Sequence, residues 1–274
     1  MNTVAVVGLG LMGGSLAMAL KRARPELTLI GVDRDQLTLR RALERDLVAV
    51  AGPDLDAAAA ADLVVLAVPV LAMRDLLPRL AGSRALVTDL ASTKAEVMGW
   101  AAAAGVELVG GHPMCGREAS GLEAADADLF QGATWVLTRA EPRLEALIAA
   151  VGAHPMVLEA EVHDRLVAGV SHTAFLVSAA YLLSATGSQD WPEAGRLASS
   201  GFRDMTRLAA GEPEMYAGIV ATNRAQIAAA LDRFEAALAR LRRHLDRADP
   251  RLGELLEEAR SARRRWEDAH DRRA

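Results

Sequence analysis

Near its amino terminus the chain runs strand, glycine turn, helix, and no other local pattern in it restricts the fold as tightly. Thr3-Val4-Ala5-Val6-Val7 is a buried-strand run, Gly8-Leu9-Gly10-Leu11-Met12-Gly13 follows, and Leu16 to Arg24 has helical character. Each glycine has its own mechanical reason: Gly8 for the tight turn, Gly10 for close backbone approach to a pyrophosphate, Gly13 for packing of the helix on the strand. The helix then starts with free N–H groups and a favourable dipole aimed at the phosphates, with Leu11 and Met12 beside them in the turn. A second strand, Leu27 to Val32, ends at Asp33, about 20 residues after the glycines, the spacing of a dinucleotide fingerprint. A carboxylate there accepts hydrogen bonds from the adenosine ribose and repels a 2′-phosphate, so NAD is expected. Arg34 next to it can bind that phosphate, which keeps NADP open.

The alternation continues through strand-like runs at Asp62–Pro69, Arg84–Asp89, Val106–Val109, Trp135–Thr138 and Met156–Leu158, with helical stretches between them. After about residue 160 the strand signals stop and the rest reads as helix, a composition shift of the kind that marks a domain boundary. The expected fold is therefore α/β: a Rossmann-type, mostly parallel sheet domain over residues 1–160, then an all-α domain over 161–274. Asp164 to Leu183 is almost wholly apolar and reads as a buried helix. Ala217 to Arg247 is amphipathic, and the charged tail from Arg251 to Ala274 reads as a solvated or dimer-wrapping helix.

A chain of 274 residues with a net charge of −5 has no general attraction for nucleic acid or anionic lipid, so the partner is expected to be a small molecule. The single cysteine, Cys115, excludes an internal disulfide and suits a reducing compartment, and no signal peptide is visible, so a cytoplasmic location is expected. Apolar runs stop short of the roughly 18 residues of a membrane span. No metal site is expected.

Two segments carry candidate chemistry in the sheet domain. Gly110-Gly111-His112-Pro113-Met114-Cys115-Gly116-Arg117-Glu118 places His112 just past a strand's carboxyl end, where open parallel sheets bind ligands, and Pro113 holds its backbone extended. Asp89-Leu90-Ala91-Ser92-Thr93-Lys94 ends another strand; Ser92 and Lys94 can face nicotinamide or substrate, or Ser92 or Thr93 can simply cap a helix with Glu96 in its first turn. His172 lies on the apolar helix, as a satisfied core residue or a functional one.

With these, Gly201-Phe202-Arg203-Asp204-Met205-Thr206-Arg207, His163-Asp164, Ser171-His172 and Pro213-Glu214-Met215-Tyr216 complete a pattern spanning nearly the whole chain that resembles the prephenate and arogenate dehydrogenases of tyrosine biosynthesis. The resemblance implies oxidative decarboxylation of a cyclohexadienol, with hydride passing to NAD, and a homodimer built through the helical domain. It implies His112 as the base on the hydroxyl, Ser92 near it, and Arg207 as the grip on a substrate carboxylate; Arg207 can alternatively be a structural partner of Asp204. His172 and Tyr216 are further candidates for the substrate pocket. Two departures stand out. Phe175 occupies a position where relatives often have a second histidine, and Arg117 stands where threonine is common, adding a cation that can meet a second carboxylate. Cys115 reads as packing. The resemblance implies prephenate as the substrate and 4-hydroxyphenylpyruvate as the product, with arogenate, giving tyrosine directly, as the alternative that the motifs do not separate. Two rival readings remain: a 3-hydroxyacid dehydrogenase, which would use a lysine that this chain lacks after Lys94, and a protein that binds NAD without turnover.

Overall fold

The structure is a computed structural model that describes residues 1–246 and 250–271, the side chains of 270 and 271 excepted. The last residues of the expected tail helix, 272–274, lie outside the described residues.

Six parallel strands form the main sheet in the order β3-β2-β1-β4-β5-β6. They are β1 (Thr3–Val7), β2 (Thr28–Val32), β3 (Val50–Gly52), β4 (Leu63–Leu66), β5 (Leu86–Asp89) and β6 (Leu108–Val109). Every neighbouring pair is parallel. The order reverses between β1 and β4, which creates a crevice at the carboxyl ends of these two strands. Side chains alternate across the sheet as the strand period requires: Val4 and Val6 join one core cluster with Leu16, Leu20 and Phe130, whereas Ala5 and Val7 join the other with Leu66, Met73 and Leu77. Both faces are covered, as a parallel sheet demands, and each fully buried Val or Leu contributes about 1.5–3 kcal/mol.

Beyond the expected parallel sheet the chain adds a second, smaller one. Gly111–Pro113 (β7), Thr134–Leu137 (β8) and His154–Val157 (β9) form a separate three-stranded sheet, with β7 antiparallel to β8 and β8 parallel to β9. His112 therefore sits inside a paired strand opposite Val136, and not on a loop beyond a strand. The reason is non-local: a partner more than twenty residues downstream in the chain claims the backbone of Gly111–Pro113.

From Ala160 onward the described chain is helical. Ala160–Val167 passes through a π-helical turn, Ala168–His172, into Thr173–Thr186. Against expectation, this run is long and apolar enough, by length and composition, to cross a bilayer, and only 28% of its most apolar window is buried. Isolated polar residues break its apolar stretches without lowering its mean hydropathy much. It is also not the buried helix its composition implies. Val170 is 75% exposed and Leu183 70%, and after it Leu197 is 83% exposed. The run buries only one narrow stripe, which includes His163, Asp164, Val167, Ala168, His172 and Ser178.

Packing divides the chain into two compact units, Met1–Arg224 and Ala225–Ala274. Helix Pro213–Asp246 crosses this division just after a kink at Asn223 (φ −138°, ψ 27°). Within the second unit, Arg240 pairs with Glu258 of helix Arg251–Asp271 at 3.5 Å, and Arg263 with Glu267 at 2.7 Å. Such exposed pairs are each worth at most about 1 kcal/mol.

Candidate active site

The glycine turn occupies the crevice between β1 and β4. Gly8 has φ +93°, a conformation that glycine alone adopts without strain, and a Cβ there would lie 2.4 Å from the Ala67 carbonyl oxygen. At Gly13 a Cβ would lie 1.8 Å from the Gly8 carbonyl oxygen. Both glycines are thus required by the chain's own packing. Gly10 differs, because a Cβ there would meet nothing within 4 Å. It caps helix Leu11–Ala23 without any side-chain hydrogen bond, so the helix presents its first N–H groups beside open space. Leu11 and Met12 lie in the helix's first turn. A pyrophosphate seated on backbone amides fits this cradle. Asp33, at the end of β2, accepts from Leu9 N–H at 2.7 Å and from Asp35 N–H at 2.9 Å, tying the acidic position to the turn. Arg34 beside it is exposed.

The second half of the site is a buried polar cluster around His112. Its Nδ1 lies 2.8 Å from His163 Nε2, and His163 Nδ1 lies 2.8 Å from Asp164 Oδ1. Asp164 also accepts from Lys94 N–H at 2.8 Å and Ala95 N–H at 2.9 Å, so one carboxylate holds the start of helix Ala95–Ala103 as well as a histidine. Burial pushes the His112 pKa well below the ordinary imidazole value, and the nearby His163, Lys94 and His172 add to the effect. The ring is therefore a neutral imidazole at physiological pH.

Lys94, which by sequence can face nicotinamide or substrate, turns inward. It is completely buried, paired with Asp89, and donates to Gly111 O at 2.7 Å. Asp89 in turn accepts from Gly111 N–H at 3.0 Å. The ion pair grips both backbone groups of the residue before His112, so removing either partner would leave an uncompensated buried charge.

His172 is 2% exposed. Asn223 Nδ2 donates to Asp164 O at 2.8 Å and lies 3.2 Å from His172 Nδ1, while His172 Nε2 has no hydrogen-bond partner. Burial lowers the His172 pKa to about 4, against opposition from Asp164 and from the Ser92 backbone. Ser92, half-buried, is thereby placed beside His172, which is itself close enough to His112 to disfavour its protonation.

A more exposed cluster follows. Arg207 pairs with Glu118. Tyr216 stacks on Phe175 with ring centroids 3.3 Å apart, and burial, then the Glu118 charge, raises its pKa against the pull of Arg207. Arg207 and Tyr216 are thus brought together with Phe175, at the position where the second histidine of relatives was expected. Arg117 is engaged elsewhere, in an ion pair with Asp126. Cys115 packs against the core, and burial pushes its thiol up to about 11, which leaves it un-ionised at neutral pH.

Sequence reasoning did not reach His163 and Asp164 as supports of His112, nor Asn223, nor Glu118. The adjacent His163-Asp164 pair at the head of an apolar helix was the available signal, because buried polar groups at such a place need partners.

Two family models match the chain: "Prephenate dehydrogenase, nucleotide-binding domain" over residues 16–153 and "Prephenate dehydrogenase, dimerization domain" over residues 159–258. Prephenate dehydrogenase of Lactococcus lactis is 32% identical over 81% of this chain, which spans 65% of that protein's length. The crystal structure of Synechocystis arogenate dehydrogenase matches with a TM-score of 0.82 at 33% identity, covering 96% of this chain and 99% of that one. Prephenate dehydrogenase from A. aeolicus, in complex with hydroxyphenyl propionate and NAD+, matches with a TM-score of 0.90 at 27% identity, covering 97% and 98%.

Proposed function

Because the chain belongs to the prephenate dehydrogenase family, we propose that it converts prephenate to 4-hydroxyphenylpyruvate and carbon dioxide in tyrosine biosynthesis, with NAD as hydride acceptor and His112 as the base. The observation that carries this reading is a buried imidazole, held neutral, on a strand whose backbone is clamped by the Asp89–Lys94 pair.

NAD, when bound, would supply the hydride acceptor for the carbinol carbon. Gly8, Gly10, Leu11, Met12 and Gly13 form its pyrophosphate cradle and Asp33 its ribose contact, with Arg34 the residue through which NADP would enter. His112 accepts the hydroxyl proton as positive character grows on that carbon, a contribution of about 10²–10⁴-fold. Ser92 sits beside the reacting hydroxyl, and His172, with its unpartnered Nε2, offers a further polar contact. Arg207 grips the ring carboxylate by exchanging Glu118 for substrate; two parallel hydrogen bonds from a guanidinium orient a carboxylate as well as bind it. Arg117 is reserved for a second carboxylate through a similar exchange with Asp126, and Tyr216 closes the pocket against Phe175. Loss of carbon dioxide makes the ring aromatic and drives the reaction one way.

Arogenate is the second reading, favoured by the likeness to Synechocystis arogenate dehydrogenase. The two substrates differ only in a keto or an amino group on the side chain. We assign the change from strands to helices at residue 160 as the boundary between a nucleotide domain, 1–160, and a substrate and dimerisation domain, 161–274. The exposed apolar surface at Val170, Leu183 and Leu197 is given to a second copy of the chain, in keeping with the dimerization-domain match. A cytoplasmic location completes the reading.

The test is a steady-state comparison of prephenate and arogenate with NAD and NADP. Highest kcat/KM for prephenate with NAD is expected. A clear preference for arogenate replaces the substrate, and no turnover of either substrate overturns the reading.

A further inference from the structure

The reaction as described uses one nitrogen of His112 and leaves unexplained the imidazole behind it. We propose that His163 and Asp164 are a positioning relay that fixes His112 with its proton on Nδ1, so that the Nε2 lone pair is the one presented to the substrate hydroxyl. This rests on the reading of His112 as the base.

The assignment follows from the hydrogen-bond chain. An ionised carboxylate only accepts, and Asp164 already accepts from the Lys94 and Ala95 backbone amides. The His163 nitrogen facing Asp164 Oδ1 at 2.8 Å, Nδ1, therefore carries hydrogen. In neutral His163 this leaves a lone pair on Nε2, which lies 2.8 Å from His112 Nδ1. A contact that short between two ring nitrogens needs one hydrogen between them, and His112 Nδ1 must supply it. The free lone pair of His112 is then on Nε2.

Burial makes this arrangement stiff. The His163 side chain is fully buried and that of Asp164 is 3% exposed, so water does not substitute for either partner. Asp164 is itself pinned by two backbone amides from the start of helix Ala95–Ala103, and Asn223 holds the Asp164 carbonyl from the other side. The charged or titratable groups acting on His112 are His163, Lys94 and His172, all of which disfavour its cationic form. Two groups of opposite sign lie nearby: Asp89, already paired with Lys94 and holding the Gly111 N–H, and Asp164, one imidazole away along the hydrogen-bond chain. When the hydroxyl proton reaches Nε2, the new imidazolium donates from Nδ1 to His163, which donates to Asp164. The proton need not travel along the chain. The relay orients the ring and stabilises its charge, in the manner of a buried carboxylate behind a catalytic histidine.

A merely structural His163 would fill space and satisfy Asp164, with no requirement on the His112 tautomer. The deciding experiment is ¹⁵N NMR of the full chain labelled at histidine, with His112→Asn and His163→Gln used for assignment. Protonated Nδ1 and unprotonated Nε2 on both His112 and His163 are expected; hydrogen on Nε2 of neutral His112 overturns the relay, whatever the protein catalyses. A kinetic arm separates positioning from packing. His163→Leu leaves the His112 Nδ1–H buried without an acceptor and should lower kcat about 100-fold with KM values for substrate and NAD within about twofold. His163→Gln places an amide oxygen near the lost Nε2 and should recover kcat to within about tenfold of native. A folded His163→Leu variant that keeps kcat within about threefold, or a His163→Gln variant as slow as His163→Leu, overturns the proposal. If His163→Leu does not fold, the NMR result on the native chain decides. Absence of turnover in the native chain would count against the reading of the base and leave the tautomer measurement standing.

Discussion

Replacing His112 by asparagine removes one ring nitrogen while leaving the other contact in place. The asparagine carboxamide reaches about as far as imidazole Nδ1, so a hydrogen bond to His163 Nε2, 2.8 Å away in the native chain, can persist, and nothing stands where Nε2 was. The site is 8% exposed, so the loss of ring volume costs about 1–2 kcal/mol of stability. The barrier should rise by the value of a general base, about 10²–10⁴-fold or 2.7–5.4 kcal/mol at about 1.36 kcal/mol per tenfold. A second signature is the pH profile. Burial, then His163, Lys94 and His172, hold the His112 pKa well below 6.5. A lowered imidazole pKa keeps the base form present in the free enzyme as pH falls past 6.5, so native kcat/KM stays level there and drops only in more acid solution. The variant's residual rate should lack that acid limb. NADH formation followed by absorbance across pH, with NAD affinity from quenching of protein fluorescence, measures both. Turnover within about threefold of native, with NAD binding intact, would refute the assignment.

Arg207→Ala should raise the substrate KM by about tenfold or more with kcat little changed, since a carboxylate contact exists already in the ground state; a fall in kcat alone would make Arg207 structural. Asp33→Ala should weaken NAD by about tenfold, partly because the acceptor for Leu9 and Asp35 N–H is lost, and native preference for NADP in binding assays would instead assign the site to Arg34. Light scattering should report about twice the 29.0 kDa chain mass, falling on Leu183→Glu; a native mass of 29.0 kDa contradicts the dimer. His172, with its pKa lowered from 6.5 to about 4, charges more readily when unfolded. Its contribution is intact above pH 6.5 and is lost as pH falls toward 4, at about 1.4 kcal/mol per unit, so urea denaturation at stepped pH should show that slope, and level stability across the window would exclude it.

What the sequence made legible was local. The glycine turn, the strand ends at Val7, Val32 and Asp89, and His112 beside its proline all follow from spacing and alternation over a few residues. What it hid depends on distance along the chain. The strand Gly111–Pro113 exists because Thr134–Leu137 pairs with it, and its three residues carry no period of their own. His163 meets His112 across 51 residues, and Asn223 meets Asp164 across 59. Lys94 is conspicuous by composition, and sequence lets it face nicotinamide or substrate because nothing local shows that Asp89 turns it inward. The apolar run after Ala160 was read as core for a related reason: composition reports that a surface avoids water, and is silent on whether this chain or another one covers it.

The π-helical turn Ala168–His172 is also a matter of chain length. A π turn closes its hydrogen bonds one residue later than an α turn, so it holds one residue more than plain winding needs. In an unbroken α-helix, successive residues advance by about 100°, and Asp164 and His172, eight apart, would point roughly 80° away from each other. The wider turn takes up most of that difference, which lets one asparagine reach both the Asp164 carbonyl and the His172 ring. A relative with an uninterrupted helix here would align only with a single-residue gap. Deleting one residue from this chain between Ala168 and Ser171 would leave plain α winding with His172 seven residues after Asp164, about 20° from it, so the two would keep their shared face.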